Sequence, residues 1–191
     1  FVARMYQNYP EKKNLKAMQT LMKQLDKQPR TNEGVYWHKA IYAYQVWLDG
    51  IFMGLPFRAL TANMLLKGKK AEKIYDDAVD QISKTYARTL DKKTGLNRHA
   101  WDETNKQFWA DKENGKSQHT WARALGWYVM AMTECLDAMP ENYARRDEVI
   151  KLLNKAMASV VKYQDKATGV WYDVMDVKDP RNDLESTATV S

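Results

Sequence analysis

Three helices of this chain run out into the same kind of loop, and that recurrence constrains the architecture more than any single segment does. The exits read LDKQPRTNEGVYWHK, LDKKTGLNRHAWD and QDKATGVWYDVMD. Each passes from an acidic-basic pair to a glycine, then to Val or Leu, then to aromatic and polar residues. Gly34, Gly95 and Gly169 suit a turn or helix-terminal position with positive φ, and a short extended segment is expected after each. Helical hairpins whose loops repeat at one end stack into an open array or close into an α/α toroid. In both cases the loops gather at one rim, where function concentrates.

The helices themselves follow from apolar spacing. Leu15, Met18, Met22 and Leu25 mark one, and Ile74, Ala78, Ile82 and Tyr86 mark another over residues 69–90. A third runs from Trp121 through Leu125, Tyr128, Met132 and Cys135 to a stop at Pro140; a fourth covers about 145–164 on a stripe including Val149, Leu152, Ala156 and Val160. These last two form an antiparallel hairpin. Residues 46–66 are apolar on most faces, which suits a buried inner helix that Pro56 must kink or split. Phe1-Val2-Ala3 reads as the tail of an earlier helix and residues 185–191 as the start of a later one, so the chain is expected to be one domain over 1–191 and a fragment cut at both ends.

Composition narrows the function classes. With 45% hydrophobic and 12% aromatic residues the chain can bury a core, so disorder is not expected. Its charge of +6 suits an anionic partner. The Lys and Arg residues are scattered through amphipathic stretches, however, which speaks against nucleic acid, and no apolar run approaches a membrane span. Cys135, the lone cysteine, reads as core. His38, His99 and His119 lack metal-ligand spacing, so a metal site is not expected, and there is no phosphate-cradling glycine loop or serine nucleophile elbow. FVARMYQNYPEKKN lacks the pattern of a signal peptide; compartment and oligomeric state stay open.

Chemistry can sit on the loops. Asp49 stands among Trp47, Leu48, Ile51, Phe52 and Met53, where burial would raise its pKa and suit it to act as a general acid. The local alternative is an inert capping or first-turn aspartate, and local sequence favours that alternative. Trp101 and Trp109 offer flat faces for sugar rings, yet taken singly each reads first as packing, because large aromatics dominate cores by buried area. His99 suits either orientation of a substrate or a bond to a backbone carbonyl. Trp121 and Arg123 lie near a helix N-terminus, where amides and a guanidinium can hold a carboxylate; a surface ion pair is the plain reading of Arg123.

The segments HKAIYAYQVWLDGIFMGLPF and RHAWDETNKQFWADKENGKSQHTWARALGWYVMAM, with QPRTNEGVYWHK and the terminal ESTATVS, resemble the unsaturated rhamnogalacturonyl hydrolases (glycoside hydrolase family 105), relatives of the unsaturated glucuronyl hydrolases. The resemblance implies an all-α (α/α)6 barrel, a six-hairpin toroid, here an incomplete portion of it. It implies that Asp49, in WLDG, is the general acid/base, and it places His38, Lys39, His99, Trp121, Arg123 and Trp127 around the substrate. Asp102 is expected to support its loop. The family's second functional aspartate would lie before residue 1. The implied reaction releases the terminal 4,5-unsaturated galacturonic acid from lyase-generated rhamnogalacturonan oligosaccharides, without a cofactor. An unsaturated glucuronyl hydrolase, or a non-catalytic sugar-binding helical module, is the alternative.

Overall fold

The computed structural model describes residues 1–189, so Val190 and Ser191, which end the ESTATVS segment, lie outside the described residues. The helices in chain order are α1 (Val2–Asn8), α2 (Lys12–Asp26), α3 (Leu48–Leu65), α4 (Lys69–Thr89), α5 (Ala122–Ala138), α6 (Arg146–Val160) and the short α7 (Ser186–Thr189). One 3-10 turn extends α6 over Val161–Tyr163, and two strands, β1 (Gln45–Trp47) and β2 (Ala100–Asp102), interrupt the loops.

Helix composition sorts the chain into two layers. α3 and α5 are mostly apolar and pack on each other; α4 and α6 pack outside them and on each other, presenting charged faces to water. Tyr128 of α5, fully buried, donates its hydroxyl hydrogen to the Ile82 carbonyl at 2.6 Å and so ties the inner layer to α4. Arg58, a charge buried inside α3, pairs with Asp26 at the end of α2 at 3.1 Å. This inner-and-outer arrangement is that of an α/α barrel. α3 is helical without interruption from Leu48 to Leu65, so Pro56 does not split it. The missing N–H costs one bond to the Phe52 carbonyl. Burial of Leu55, Pro56, Ala59 and Ala62 holds the helix together across that gap.

The short connections, 9–11, 66–68 and 139–145, alternate along the chain with the long ones, so that short and long loops gather at opposite ends. The repeated exits fold as one turn. The N–H of Gly95 donates to the Asp91 carbonyl and that of Asp91 to the Leu96 carbonyl, at 2.8 and 2.9 Å; the same pair of bonds recurs between Gly169, Asp165 and Val170. The glycines sit at φ +76° and +72°, as a left-handed closing residue requires. A further copy closes at Asp111–Gly115, with identical 2.8 Å bonds. It follows a loop instead of a helix, so it does not stand out as a helix exit. In the first loop Thr31 takes the aspartate's place: its Oγ1 accepts from the Val35 N–H at 3.1 Å, and the turn is one residue shorter.

Candidate active site

These turns aim the following segments across the rim. β1 and β2 pair antiparallel, with Gln45 opposite Asp102 and Trp47 opposite Ala100, and Trp121 bridges to Val174. The Leu48 N–H donates to the His99 carbonyl at 3.0 Å, so the second loop is fixed to the start of α3. Asp102, fully buried, accepts from the N–H groups of Thr104, Lys106 and Gln107 and from the Thr104 hydroxyl, at 2.8–3.0 Å. Burial works to raise its pKa, but these donors prevail and hold it below the ordinary aspartate value. Its carboxylate is spent on the loop.

Between the loops lies a cavity of about 560 Å³, lined by Tyr42, Gln45, Trp47, His99, Gln107, Phe108, Trp109, Ser117, Gln118, His119 and Trp121. Its walls are mainly rings. The planes of His38, Tyr42 and Trp47 are within 5° of parallel, with centroids 4.7, 5.4 and 6.0 Å apart. Rings on opposite faces of an indole would stand about 7 Å apart at contact distance, so His38 and Tyr42 lie side by side over one face of Trp47. Trp109 stands edge-on to Trp47, at 87°. Two perpendicular indoles with glutamine and histidine groups nearby suit a sugar ring, whose faces are apolar and whose edge is polar. Trp101, by contrast, is core: it is buried and donates Nε1–H to the Asn114 carbonyl.

His99 stacks on Trp121 with centroids 3.9 Å apart. Its Nδ1 lies 2.8 Å from the His119 carbonyl, which can only accept, so Nδ1 carries the proton and Nε2 is left as an acceptor. Burial lowers the His99 pKa; the bond to His119 and the charge of Asp49 oppose this without reversing it. Burial likewise lowers that of His38, again against the pull of Asp49. Gly50 makes this closeness possible, because a Cβ there would meet His38 Nδ1 at 2.9 Å and its Cα at 3.3 Å.

Asp49 is thus near enough to act on both imidazoles, although it is not among the residues lining the cavity. It occupies the second position of α3, half-buried, and Trp47 is the N-cap residue. Among the described residues, none donates a hydrogen bond to its carboxylate or pairs with it. Asp49 is thus not a capping residue, although it holds the first-turn position that the local alternative also names. Residues three and four further on share its face. These are Phe52, which packs on Trp127 at 4.7 Å, and Met53, 59% exposed. The face of α3 that carries Asp49 is open, with Trp127 along it.

The remaining expected residues are more dispersed. Lys39 is exposed, its Nζ 5.7 Å from the Tyr42 ring centre. Arg123 donates to Glu185 at 2.5 Å with its guanidinium still half-exposed. His119, which sequence reasoning set aside with the other histidines as a non-ligand, lines the cavity, 3.5 Å from the buried Asp176. Its position at the helix start beside Trp121 is the signal that could have marked it. Among the described residues no cluster of three or more His, Cys, Asp or Glu could hold a metal ion, and no helix is long and apolar enough to cross a membrane.

Comparison with known proteins gives a consistent picture. The family model of Glycosyl Hydrolase Family 88 matches residues 1–190. A 24.9 kDa protein in the picA locus of Rhizobium radiobacter is 34% identical over 124 residues, 65% of this chain and 50% of that protein. Among solved structures, a family 105 glycoside hydrolase of C. acetobutylicum is 39% identical and superposes with a TM-score of 0.93, covering 98% of this chain and 51% of that one. The unsaturated glucuronyl hydrolase from Bacillus sp. GL1, 15% identical with a TM-score of 0.65 over 98% and 49%, shares the fold. The chain spans about half the length of these relatives.

Proposed function

Because the chain belongs to Glycosyl Hydrolase Family 88, we propose that the protein is an unsaturated uronyl hydrolase in which Asp49 is the general acid and base. The observation that carries this reading is an uncommitted, half-buried carboxylate whose charge bears on His38 and His99, beside a cavity walled by aromatic rings. Carboxylates elsewhere on the rim, such as Asp102, Asp176 and Glu185, are held by hydrogen bonds or ion pairs.

The chemistry is that of a cyclic enol ether. Asp49 transfers its proton to C4 of the 4,5-unsaturated uronate, and the positive charge that results is shared between C5 and the ring oxygen. Water adds at C5, and the carboxylate recovers a proton from it. The hemiketal opens by cleavage of the C5–ring oxygen bond, leaving a ketone at C5. The hemiacetal so formed at C1 then collapses to an aldehyde and expels the remaining sugar as an alcohol. Because attack is not at the anomeric carbon, no second carboxylate at glycosidase spacing is needed. His99, with Nε2 free to accept, can orient the water, and Trp47 with Trp109 can seat the ring. Arg123, with His38, Lys39, Trp121 and Trp127 around the substrate, serves the uronate carboxylate.

The finer reading is release of unsaturated galacturonic acid from rhamnogalacturonan fragments, supported by the match of the WLDG and RHAWD…RALGW segments. An unsaturated glucuronyl hydrolase is the second reading, favoured by the shared fold with the Bacillus sp. GL1 protein. A panel of lyase-generated disaccharides differing in uronic acid and aglycone distinguishes the two by kcat/KM. Turnover in deuterium oxide tests the reaction itself: one deuterium at C4 of the released acid is expected, and a product without it would rule out protonation of the double bond.

A further inference from the structure

The reaction read from Asp49 fixes the direction of the substrate ring. The proton goes to C4 and the leaving group departs from C1, and these carbons are opposite members of the six-membered ring. Asp49 does not line the cavity, whereas Trp47, two residues before it, does. A ring seated on Trp47 with C4 toward Asp49 therefore turns C1, and the sugar attached there, into the cavity and away from the start of α3. Trp109 stands across that path, edge-on to Trp47 with centroids 6.5 Å apart. Phe108, its neighbour in the chain, also lines the cavity, yet it is 90% exposed.

A single exposed phenylalanine needs no explanation on most surfaces. This one differs because its backbone is held on both sides while its ring is left at a cavity mouth. Asp102 accepts from the Lys106 and Gln107 N–H groups at 2.8 and 2.9 Å. The Gln107 carbonyl accepts from the Ala110 N–H at 3.1 Å and from Lys112 Nζ at 3.0 Å, and Ala110 bridges to Ser117. The ring is thus presented by a preset loop, which reduces the ordering that binding must cost. The side chains of Gln107 and Gln118 line the same cavity, and among the described residues neither side-chain amide makes a hydrogen bond. An apolar face beside free amide donors and acceptors matches a sugar ring, with its apolar faces and hydroxyl edge. Among the described residues, none that lines the cavity is Asp, Glu, Lys or Arg. We propose that Phe108, with the amides of Gln107 and Gln118, forms the subsite for the leaving sugar, and that this sugar is uncharged. This inference rests on the reading of Asp49 given above, which sets the direction of the ring.

Phe108→Ala removes the platform without touching the core. Two unsaturated uronides separate the subsite from the chemistry: one with a neutral sugar as leaving group, and one with only a methoxy group at C1. The ratio of kcat/KM for the first to that for the second is expected to fall roughly three- to tenfold in Phe108→Ala, the worth of one aromatic stacking contact. Phe108→Tyr, which keeps the ring, is expected to restore the ratio to within about twofold of wild type. An unchanged ratio in Phe108→Ala, or a fall that Phe108→Tyr does not restore, would overturn the subsite. A sulfate on the leaving sugar, desolvated with no cation to meet it, is expected to lower wild-type kcat/KM by about tenfold; equal turnover would overturn the assignment of a neutral sugar. Calorimetric Kd values for the two uronides in the Asp49→Asn protein read the subsite apart from turnover. Tighter binding of the disaccharide, reduced when Phe108→Ala is added, is expected there even if the wild type turns over neither compound. Absence of turnover would count against the reading of Asp49, whereas a Kd ratio indifferent to Phe108→Ala would overturn the subsite itself.

Discussion

Gly50→Ala sets two effects of known size against each other. Gly50 is the third residue of α3, and inside a helix alanine is favoured over glycine by about 1 kcal/mol. On propensity alone the substitution should stabilise. The new methyl group, however, would stand 2.9 Å from His38 Nδ1 and 3.3 Å from its Cα. Neither atom is the free end of a flexible chain: the Cα is backbone, and the ring is pressed on Trp47 at 4.7 Å. Relief requires His38 and its loop to retreat by several tenths of an ångström, and overpacking of this kind costs about 1–3 kcal/mol. The net expectation is a loss of up to about 2 kcal/mol. At roughly 2–4 °C per kcal/mol for a chain of this size, the melting temperature in a calorimetric scan should fall by up to about 8 °C. Since His38 moves relative to Asp49, kcat/KM on an unsaturated disaccharide should fall by about 10- to 100-fold, within the range of small misplacements. A raised melting temperature with unchanged kcat/KM would refute the reasoning, because it would mean that His38 is not held against α3.

Further expectations concern the remaining parts of the site. The imidazoles of His38 and His99 should titrate below the usual ~6.5 in proton NMR, and Asp49→Asn should lower both further by removing the charge that supports their protonated forms; a rise in either would contradict the placement of Asp49. Because both folded values are depressed, the stability these histidines contribute is fully present above pH ~6.5 and is lost as the pH falls from there through the folded values. Asp102 has the same sign in a lower window: its contribution is present above ~3.9 and is lost as the pH falls through its depressed folded value. Asp102→Asn, which cannot accept on both atoms, should remove that part of the acid transition, read as melting temperature against pH. Trp101→Ala should destabilise by about 3–5 kcal/mol, whereas Trp109→Ala should chiefly raise KM; the reverse pattern would exchange their roles as core and cavity wall.

These last two residues show where sequence reading reaches its limit. Both are tryptophans on one loop, eight positions apart, and only the partners brought by folding separate them: Asn114 and Arg88 for Trp101, the Trp47 edge for Trp109. Helices α2, α4, α5 and α6 were legible because each is amphipathic or has a clear apolar stripe over several turns. α3 was legible as buried, but its continuity through Pro56 depends on neighbours that local sequence does not contain. The repeated turn was visible at its glycines where a helix preceded it and obscure at Gly115, where a loop did. For Asp49, local sequence favoured an inert helix-start acid, and the resemblance carried the other reading; the absence of any hydrogen bond to it among the described residues is a tertiary fact. The pairing of Arg123 with Glu185 spans 62 positions and leaves no periodic trace.

The most direct test of the account is the kcat/KM of Asp49→Asn relative to wild type, followed by loss of ultraviolet absorbance as the conjugated double bond of a lyase-generated oligosaccharide is consumed. Asparagine keeps the shape of the side chain and removes its proton chemistry, so the melting temperature should change little. A group acting as general acid and base contributes on the order of 10²–10⁴-fold, and a loss of that size is predicted. A variant within tenfold of wild type would contradict the assignment of Asp49 as the acid.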